Sequence, residues 1–290
     1  MKLDVISQCT IDTIQVNDSK YVVPGGPACY CSLTARILKF DVRLHTKFGS
    51  DFPLVDYLVE QKIVFENALS TKQTTQFTLN LVNSERVLFL QNKCEPISNI
   101  TLDTDSVIIS PLFDEISVEL FKKIKNDANF VLLDPQGFLR RTNSENKIHL
   151  EQTEIDLSNV SAIKVNPDEL RCLTNTSNID GVKILQKKGI DNVILTDKQN
   201  ISLLSKNKIY SITLPNIQLD DTTGVGDIFC AAFCCTMLRE KDVLWALSFA
   251  GGAAQAALES KQIGLEKIPS KIAIESNAYY FYNTVKFKEI

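Results

Sequence analysis

Short apolar runs recur along this chain, and several stop at a proline, an Asx-Pro pair or a glycine. Phe130–Leu133 ends at Asp134-Pro135, Ala162–Val165 ends at Asn166-Pro167, and Val107–Ser110 ends at Pro111. Leu3–Ser7 opens the series, Val42–Phe48 stops at Gly49, and Val193–Leu195 adds a further run. Between them lie segments of helical character: Pro27–Lys39, with Leu33, Ile37 and Leu38 on one face, Ile116–Ile124 and Gly181–Lys188. The last third reads as helical, with Val225–Leu238 and then Val243–Leu258. Strands separated by helices suggest βαβ units and a mostly parallel sheet flanked by helices, which is an α/β, doubly wound arrangement.

Two stretches break that rhythm. Ile11–Val23 carries apolar residues on either side of Asn17-Asp18. Thr74–Leu90 alternates at Phe77, Leu79 and Leu81, pauses at Asn83-Ser84, and resumes at Val87 and Phe89. Alternation with a period of two around a polar turn predicts an antiparallel hairpin with one covered face. Hairpins over about 11–24 and 74–91 would project from the sheet as a lid, or else decorate its surface. No repeat or linker divides the chain, so residues 1–290 read as one unit.

Composition excludes several classes of function. The net charge is −4, with 31 basic and 35 acidic residues, and no run of like charges forms a basic patch. That disfavours nucleic acid and anionic membrane surfaces as partners. No stretch is long and apolar enough to span a bilayer, and the N-terminus reaches Asp4 without a signal-like apolar run, which points to a cytoplasmic protein. The eight cysteines include no C-x-x-C pair, and His45 and His149 lie far from them in sequence. They read as small buried apolar residues of a reducing compartment rather than as a metal site or a disulfide framework.

The chemistry is concentrated in Asp221-Thr222-Thr223-Gly224-Val225-Gly226-Asp227, which leads into an apolar helix. The first N–H groups of a helix lack internal partners and point outward with partial positive charge, so such a loop cradles an anion, most naturally phosphate. Asp227 is the odd member, because a carboxylate repels an anion. It is either a base that takes a proton from a nucleophile attacking that phosphate, or an ordinary first-turn acid. The G-x-x-x-x-G-K-[ST] phosphate loop is absent from the chain, and Phe229 stands where a dinucleotide fingerprint needs its third glycine. An NAD oxidoreductase on a similar sheet is disfavoured for that reason.

This loop resembles the C-terminal D-T-x-G-A-G-D-x-F signature of the PfkB (ribokinase-like) carbohydrate kinases, with Val225 in place of the usual alanine. Pro24-Gly25-Gly26-Pro27-Ala28 and the Gly49-x-Asp51 that follows resemble the family's N-terminal glycine pair, helix and G-x-D. Asp12 resembles its early hydroxyl-binding aspartate, and Asn166-Pro167-Asp168-Glu169 its N-x-x-E motif. The resemblance spans essentially the whole chain. It implies a ribokinase-like fold with a small hairpin lid, and a kinase that uses ATP and Mg²⁺ on a small sugar or polyol, as a monomer or homodimer. Asp227 would be the general base, and the N–H groups of Gly224, Val225 and Gly226 the anion hole. Asp12, Gly25, Gly26 and Arg140 would bind the acceptor. Asn166, Glu169, Thr196 and Thr223 would face the nucleotide, with Glu169 ordering Mg²⁺ and its waters.

Further features bear on the substrates. Asp134-Pro135-Gln136-Gly137-Phe138-Leu139-Arg140 resembles the D-x-Q-G-F-x-R stretch of archaeal myo-inositol kinases. Arg140 is a fork of donors for acceptor or phosphate oxygens, or else a surface ion-pair partner. The family's T-x-G-x-x-G stretch beside the nucleotide is represented by Thr196-Asp197-Lys198-Gln199-Asn200, without its glycines. Asp197 or Lys198 would then lie near the donor, whose identity becomes less certain than the fold. A nucleoside or ribose kinase is the alternative within the family, with Tyr21 and Phe77 offering a wall for a base. The alternative from another class is a non-catalytic nucleotide or sugar binder with the same fold.

Overall fold

The computed structural model describes residues 1–16, 19–82, 85–215 and 222–290. Both hairpin turns named above, Asn17-Asp18 and Asn83-Ser84, lie outside the described residues, as does Asp221.

The first part of the chain runs β1 (Lys2–Ile6), β2 (Thr10–Val16), β3 (Ser19–Gly25), α1 (Pro27–Ile37), β4 (Asp41–His45), α2 (Val55–Glu60), β5 (Gln76–Val82) and β6 (Glu85–Asn92). The middle runs β7 (Ser106–Ile109), α3 (Val118–Asp127), β8 (Phe130–Leu133), α4 (Gln136–Leu139), β9 (Arg140–Thr142), β10 (Ile148–Leu150) and β11 (Ala162–Val165). Then come α5 (Pro167–Thr174), α6 (Ile179–Lys187), β12 (Asn192–Asp197), β13 (Asn200–Ser205) and β14 (Lys208–Thr213). The chain closes with α7 (Val225–Glu240), α8 (Val243–Glu259), a 3-10 turn (Gly264–Lys267), α9 (Lys271–Thr284) and β15 (Lys286–Glu289).

The large sheet has nine strands in the order β15-β14-β13-β12-β11-β8-β7-β1-β4. Strands β12 through β4 in that order are all parallel. The chain leaves β1 for β4 on one side and returns to β7 on the other. That reversal opens a crevice at the carboxyl ends of the strands, where α/β sheets bind ligands. Side chains alternate between the faces as the pleat requires. Ile108, Leu132 and Ala162 join the core beneath α1, α7, α8 and α9, while Ile109, Leu133 and Ile163 join the core beneath α3, α5 and α6. Helix α7 is buried along Ile228–Thr236, which explains its lack of a polar face. Of the eight cysteines, all free, only Cys172 is not buried.

The last third departs from a purely helical reading. Strands β13, β14 and β15 extend the parallel sheet as an antiparallel meander, and α9 packs closely on α8. A Cβ on Gly252 would lie 2.6 Å from the Ile274 carbonyl, so only glycine permits that approach.

The two predicted hairpins do not stand apart. They join through parallel pairing of β2 with β5 into one four-stranded sheet, β3-β2-β5-β6. Its root is pinned by Asp51 of the G-x-D segment, whose carboxylate accepts from the Thr74 N–H at 2.9 Å and the Thr74 hydroxyl at 2.7 Å. Buried Thr75 donates to Gln8 at 2.6 Å, tying the same strand to the segment just after β1. No helix among the described residues is long and apolar enough to cross a membrane.

Candidate active site

A cavity of about 500 Å³ lies between the carboxyl edge of the large sheet and the underside of the small one. Ile14, Phe77, Leu79 and Leu88 contribute an apolar wall from the small sheet, and Leu112, Asp134, Lys164 and Asn166 come from the edge of the large one.

The anion loop occupies one end. Thr222, Thr223, Gly224, Gly226 and Asp227 all face the cavity. Gly224 is the N-cap of α7 with φ 81°, and no side chain caps the helix. The Gly226 N–H takes no protein acceptor among the described residues. The Val225 N–H, expected in the anion hole, turns back to the Thr222 carbonyl at 3.3 Å, and Val225 is off the cavity wall. Glycine at 224 also answers a close contact, because a Cβ there would lie 2.4 Å from the Tyr30 ring.

Asp227 follows in the first turn of α7, open to the cavity on one side and ringed by protein on the others. Burial pushes its carboxyl up to about 7, Asp134 adds to the rise, and Lys164, Arg140 and the Ser110 hydroxyl pull it back. Buried Asp134 follows β8 and lies 2.8 Å from the Lys164 ammonium on the neighbouring strand β11. Burial alone would neutralise Lys164, but Asp134 and Glu169 hold it charged, above the usual lysine range. Its ammonium also sits beneath Gly226, 3.4 Å from where a Cβ would project. The end of the cavity therefore carries a fixed cation, a carboxylate paired to it and a carboxylate poised to exchange a proton near neutrality.

The expected acceptor residues are partly brought together. Asp12, Gly26 and Arg140 line the cavity, whereas Gly25 does not. Gly25 supports Tyr30 instead: a Cβ there would come 3.2 Å from the ring. Gly26 has φ 82°, and a Cβ would lie 2.8 Å from the Gln8 carbonyl, so this N-cap of α1 requires glycine. Asp12 accepts from the Thr10 hydroxyl at 2.9 Å. Among the described residues Arg140 makes no ion pair. It donates to the Leu112 carbonyl at 3.2 Å and to Gln136 Oε1 at 2.6 Å, and lies 6.0 Å from the centre of the Phe77 ring.

The donor-side residues divide in the same way. Asn166, Glu169 and Thr223 line the cavity, but Thr196, Asp197 and Lys198 do not. The Thr196 hydroxyl is directed at the Val165 carbonyl, 3.4 Å away, and Lys198 takes φ 53° in the tight turn from β12 to β13. Tyr21 is 41 % exposed on β3 and away from the cavity, which leaves Phe77 as the lid aromatic inside it.

Tyr30, Asp134 and Gln136, which the sequence brings in only through family resemblance and without a role, also line the cavity, as do Lys164 and the Lys147–Leu150 segment of the short hairpin β9–β10, which the sequence did not single out. Lys164 carried a usable signal, since a lone charge inside the apolar run Ala-Ile-Lys-Val demands a buried partner.

Comparison with known proteins fits this geometry. A pyrophosphate-dependent kinase of the ribokinase family, solved as a sulfate complex, superposes with a TM-score of 0.82 at 20 % identity, covering 94 % of this chain and 99 % of that one. A pyrophosphate-dependent ribokinase-family kinase complexed with a pyrophosphate analogue and myo-inositol gives 0.81 at 21 % identity over the same shares, 94 % and 99 %. Arabidopsis thaliana ribokinase, complexed with ribose and ATP, gives 0.73 at 17 % identity over 95 % and 98 %. At such identities the likeness speaks for the fold, which is ribokinase-like. A search of curated protein sequences finds no significant match. The profile of the pfkB family carbohydrate kinases matches residues 4–270, and the chain therefore belongs to that family, as a sugar or polyol kinase that phosphorylates an alcohol group.

Proposed function

We propose that the protein transfers a phosphoryl group to one hydroxyl of a small cyclic polyol of the myo-inositol kind. The observation that carries this is the convergence of Asp12, Gly26, Arg140 and Asp227 on one cavity whose far end is the uncapped start of α7. The acceptor oxygen attacks the terminal phosphorus, its proton passes to the Asp227 carboxylate, and the bond from phosphorus to the leaving phosphate oxygen breaks. Gly224 and Gly226 N–H groups, with Lys164 behind them, meet the charge that spreads over the migrating group. Asp12 accepts from acceptor hydroxyls, and Arg140, held by Leu112 and Gln136, donates to acceptor oxygens. Phe77 and Leu79 supply an apolar cover, and the small sheet serves as a lid that excludes water. The whole chain acts as one kinase unit. A nucleoside acceptor is less well supported, because of the two lid aromatics only Phe77 lines the cavity and Tyr21 does not.

Magnesium suits the donor side. Asp168 and Glu169 line the cavity, and a hard cation that keeps most of its waters needs few carboxylate ligands. One Glu169 oxygen is already used, accepting from the Asn166 N–H at 2.8 Å, so Glu169 would act mainly through a metal-bound water. The ion would neutralise phosphate charge.

The sequence reading names ATP as donor. Pyrophosphate is the competing reading, favoured by a specific observation: Thr196, Asp197 and Lys198, the stretch read as facing a nucleotide, stand off the cavity wall. The strongly similar pyrophosphate-dependent kinases point the same way. The test is phosphate transfer to myo-inositol, ribose, fructose, inosine and cytidine with each donor in turn. Turnover is expected with myo-inositol or a close cyclitol, and that acceptor should protect the Phe77–Leu81 amides from hydrogen exchange. Preference for a nucleoside, or no transfer with either donor, would reject the assignment.

A further inference from the structure

One buried charge has no part in the steps above. Lys267 ends the 3-10 turn Gly264–Lys267 and is 1 % exposed, yet its ammonium is directed at the back of the anion loop, donating to the Thr223 carbonyl at 2.9 Å. The turn is wedged into place. Gly264 has φ 69°, and a Cβ there would come 2.5 Å from Val23 of β3, so the segment is held between the small sheet and the start of α7. Burying an ammonium is costly unless oxygen acceptors surround it. A lysine kept here answers a need that an apolar residue of the same length would not meet.

The geometry of one peptide unit says what that need is. The Thr223 carbonyl and the Gly224 N–H belong to the same planar unit, and no cis bond occurs among the described residues. In a trans peptide these two groups point in opposite directions. Drawing the Thr223 oxygen toward Lys267 therefore turns the Gly224 N–H the other way. Gly224 lines the cavity, and its N–H has no protein acceptor among the described residues.

We propose that Lys267 is a positioning residue for phosphoryl transfer: it clamps the Thr223–Gly224 peptide so that the Gly224 N–H faces the migrating phosphoryl group. The assignment rests on the kinase reading above. It adds a residue from a different segment of the chain, which touches neither substrate.

The test compares the parent with Lys267→Met, nearly isosteric but uncharged, and Lys267→Ala, which leaves a hole the size of a small cation. Melting curves identify the folded variants. In Lys267→Met, kcat is expected to fall about 10²-fold, the loss associated with misplacing a reacting group by about 1 Å. The KM for acceptor should stay within about threefold, and pyrophosphate affinity, measured by calorimetry, should weaken about tenfold, which corresponds to about 1.4 kcal/mol. In Lys267→Ala, ammonium ion should restore kcat at least about tenfold, whereas tetramethylammonium, too large for the hole, should not. Either folded variant retaining parental kcat and pyrophosphate affinity would overturn the proposal, as would a defect that ammonium leaves unchanged. If the parent transfers phosphate to no polyol, the kinase assignment fails by itself, and the pyrophosphate affinities still decide the role of Lys267.

Discussion

Two of the helices that begin at the cavity, α5 and α7, treat their first turns in opposite ways. Helix α5 closes its own N-terminus. Asn166 Oδ1 accepts from the Asp168 and Glu169 N–H groups at 3.0 and 2.9 Å, and Glu169 reaches back to the Asn166 N–H at 2.8 Å. Pro167 at the first helical position removes a further donor. Helix α7 does none of this. It starts at a left-handed glycine with no side-chain cap. Unused donors are a cost to a folded chain when nothing binds there, and a capping side chain typically contributes about 1 kcal/mol. The contrast separates a helix start that belongs to the scaffold from one left open for a ligand.

The comparison is broken hardest at Asp227. Asp227→Asn should lower kcat by about 10²–10⁴-fold, as expected on removal of a positioned general base. The same change should stabilise the fold at alkaline pH. Burial raises the folded-state value of this carboxyl from 3.8 to about 7, so the folded protein binds a proton that the unfolded chain has already released. Stability therefore declines as pH rises through that interval, and the asparagine variant escapes the decline. Its melting temperature should exceed the parent's at pH 8 and match it near pH 4. In the parent, kcat/KM should fall about tenfold per unit below about pH 6, where the base is protonated. A flat profile down to pH 5 would remove Asp227 from the role.

Gly224→Ala attacks the open helix start directly. The new methyl would meet the Tyr30 ring in a backbone conformation that L residues rarely adopt. Loss of one aligned N–H costs about 10²–10³-fold, and kcat/KM should drop by that order, with stability falling by about 1–3 kcal/mol. Steady-state kinetics and thermal melts check both. Asn166→Ala is the opposite probe. It should cost about 1 kcal/mol of stability through the lost cap. Donor KM should rise by more than kcat falls, because this terminus does not grip the migrating group. An equal collapse of kcat in the Asn166 variant would erase the distinction between the two helices.

What the sequence made legible follows from where the information lies. The runs Phe130–Leu133 and Ala162–Val165 coincide with β8 and β11 because they are apolar, save for Lys164, and end just before Asp134-Pro135 and Asn166-Pro167. The loop before α7 was legible because glycine and aspartate have few reasons to stand together there. The meander β13–β15 was missed because Asn-Ile-Ser-Leu-Leu-Ser and Lys-Ile-Tyr-Ser-Ile-Thr mix polar and apolar residues as edge strands do. Helix α9 shows its periodicity only in Ile274, Ala278 and Phe281, amid exposed tyrosines. The Asp134–Lys164 pair joins residues on strands that only the sheet brings together. Placing Gly25, Thr196 and Val225 in the site assumed that neighbours in sequence share one pocket. None of the three lines the cavity: Gly25 lies against the Tyr30 ring, the Thr196 hydroxyl is directed at the Val165 carbonyl, and the Val225 N–H donates to the Thr222 carbonyl.

Tyr30 leaves a last consequence. Its ring lies against Gly25 on one side and Gly224 on the other, buried from solvent. One buried ring therefore spaces the end of β3 from the start of α7. Under the proposed mechanism a shift of either segment reaches the other through that ring, so a change of acceptor is met more readily by new side chains at the cavity's outer rim than by moving the loop that begins α7.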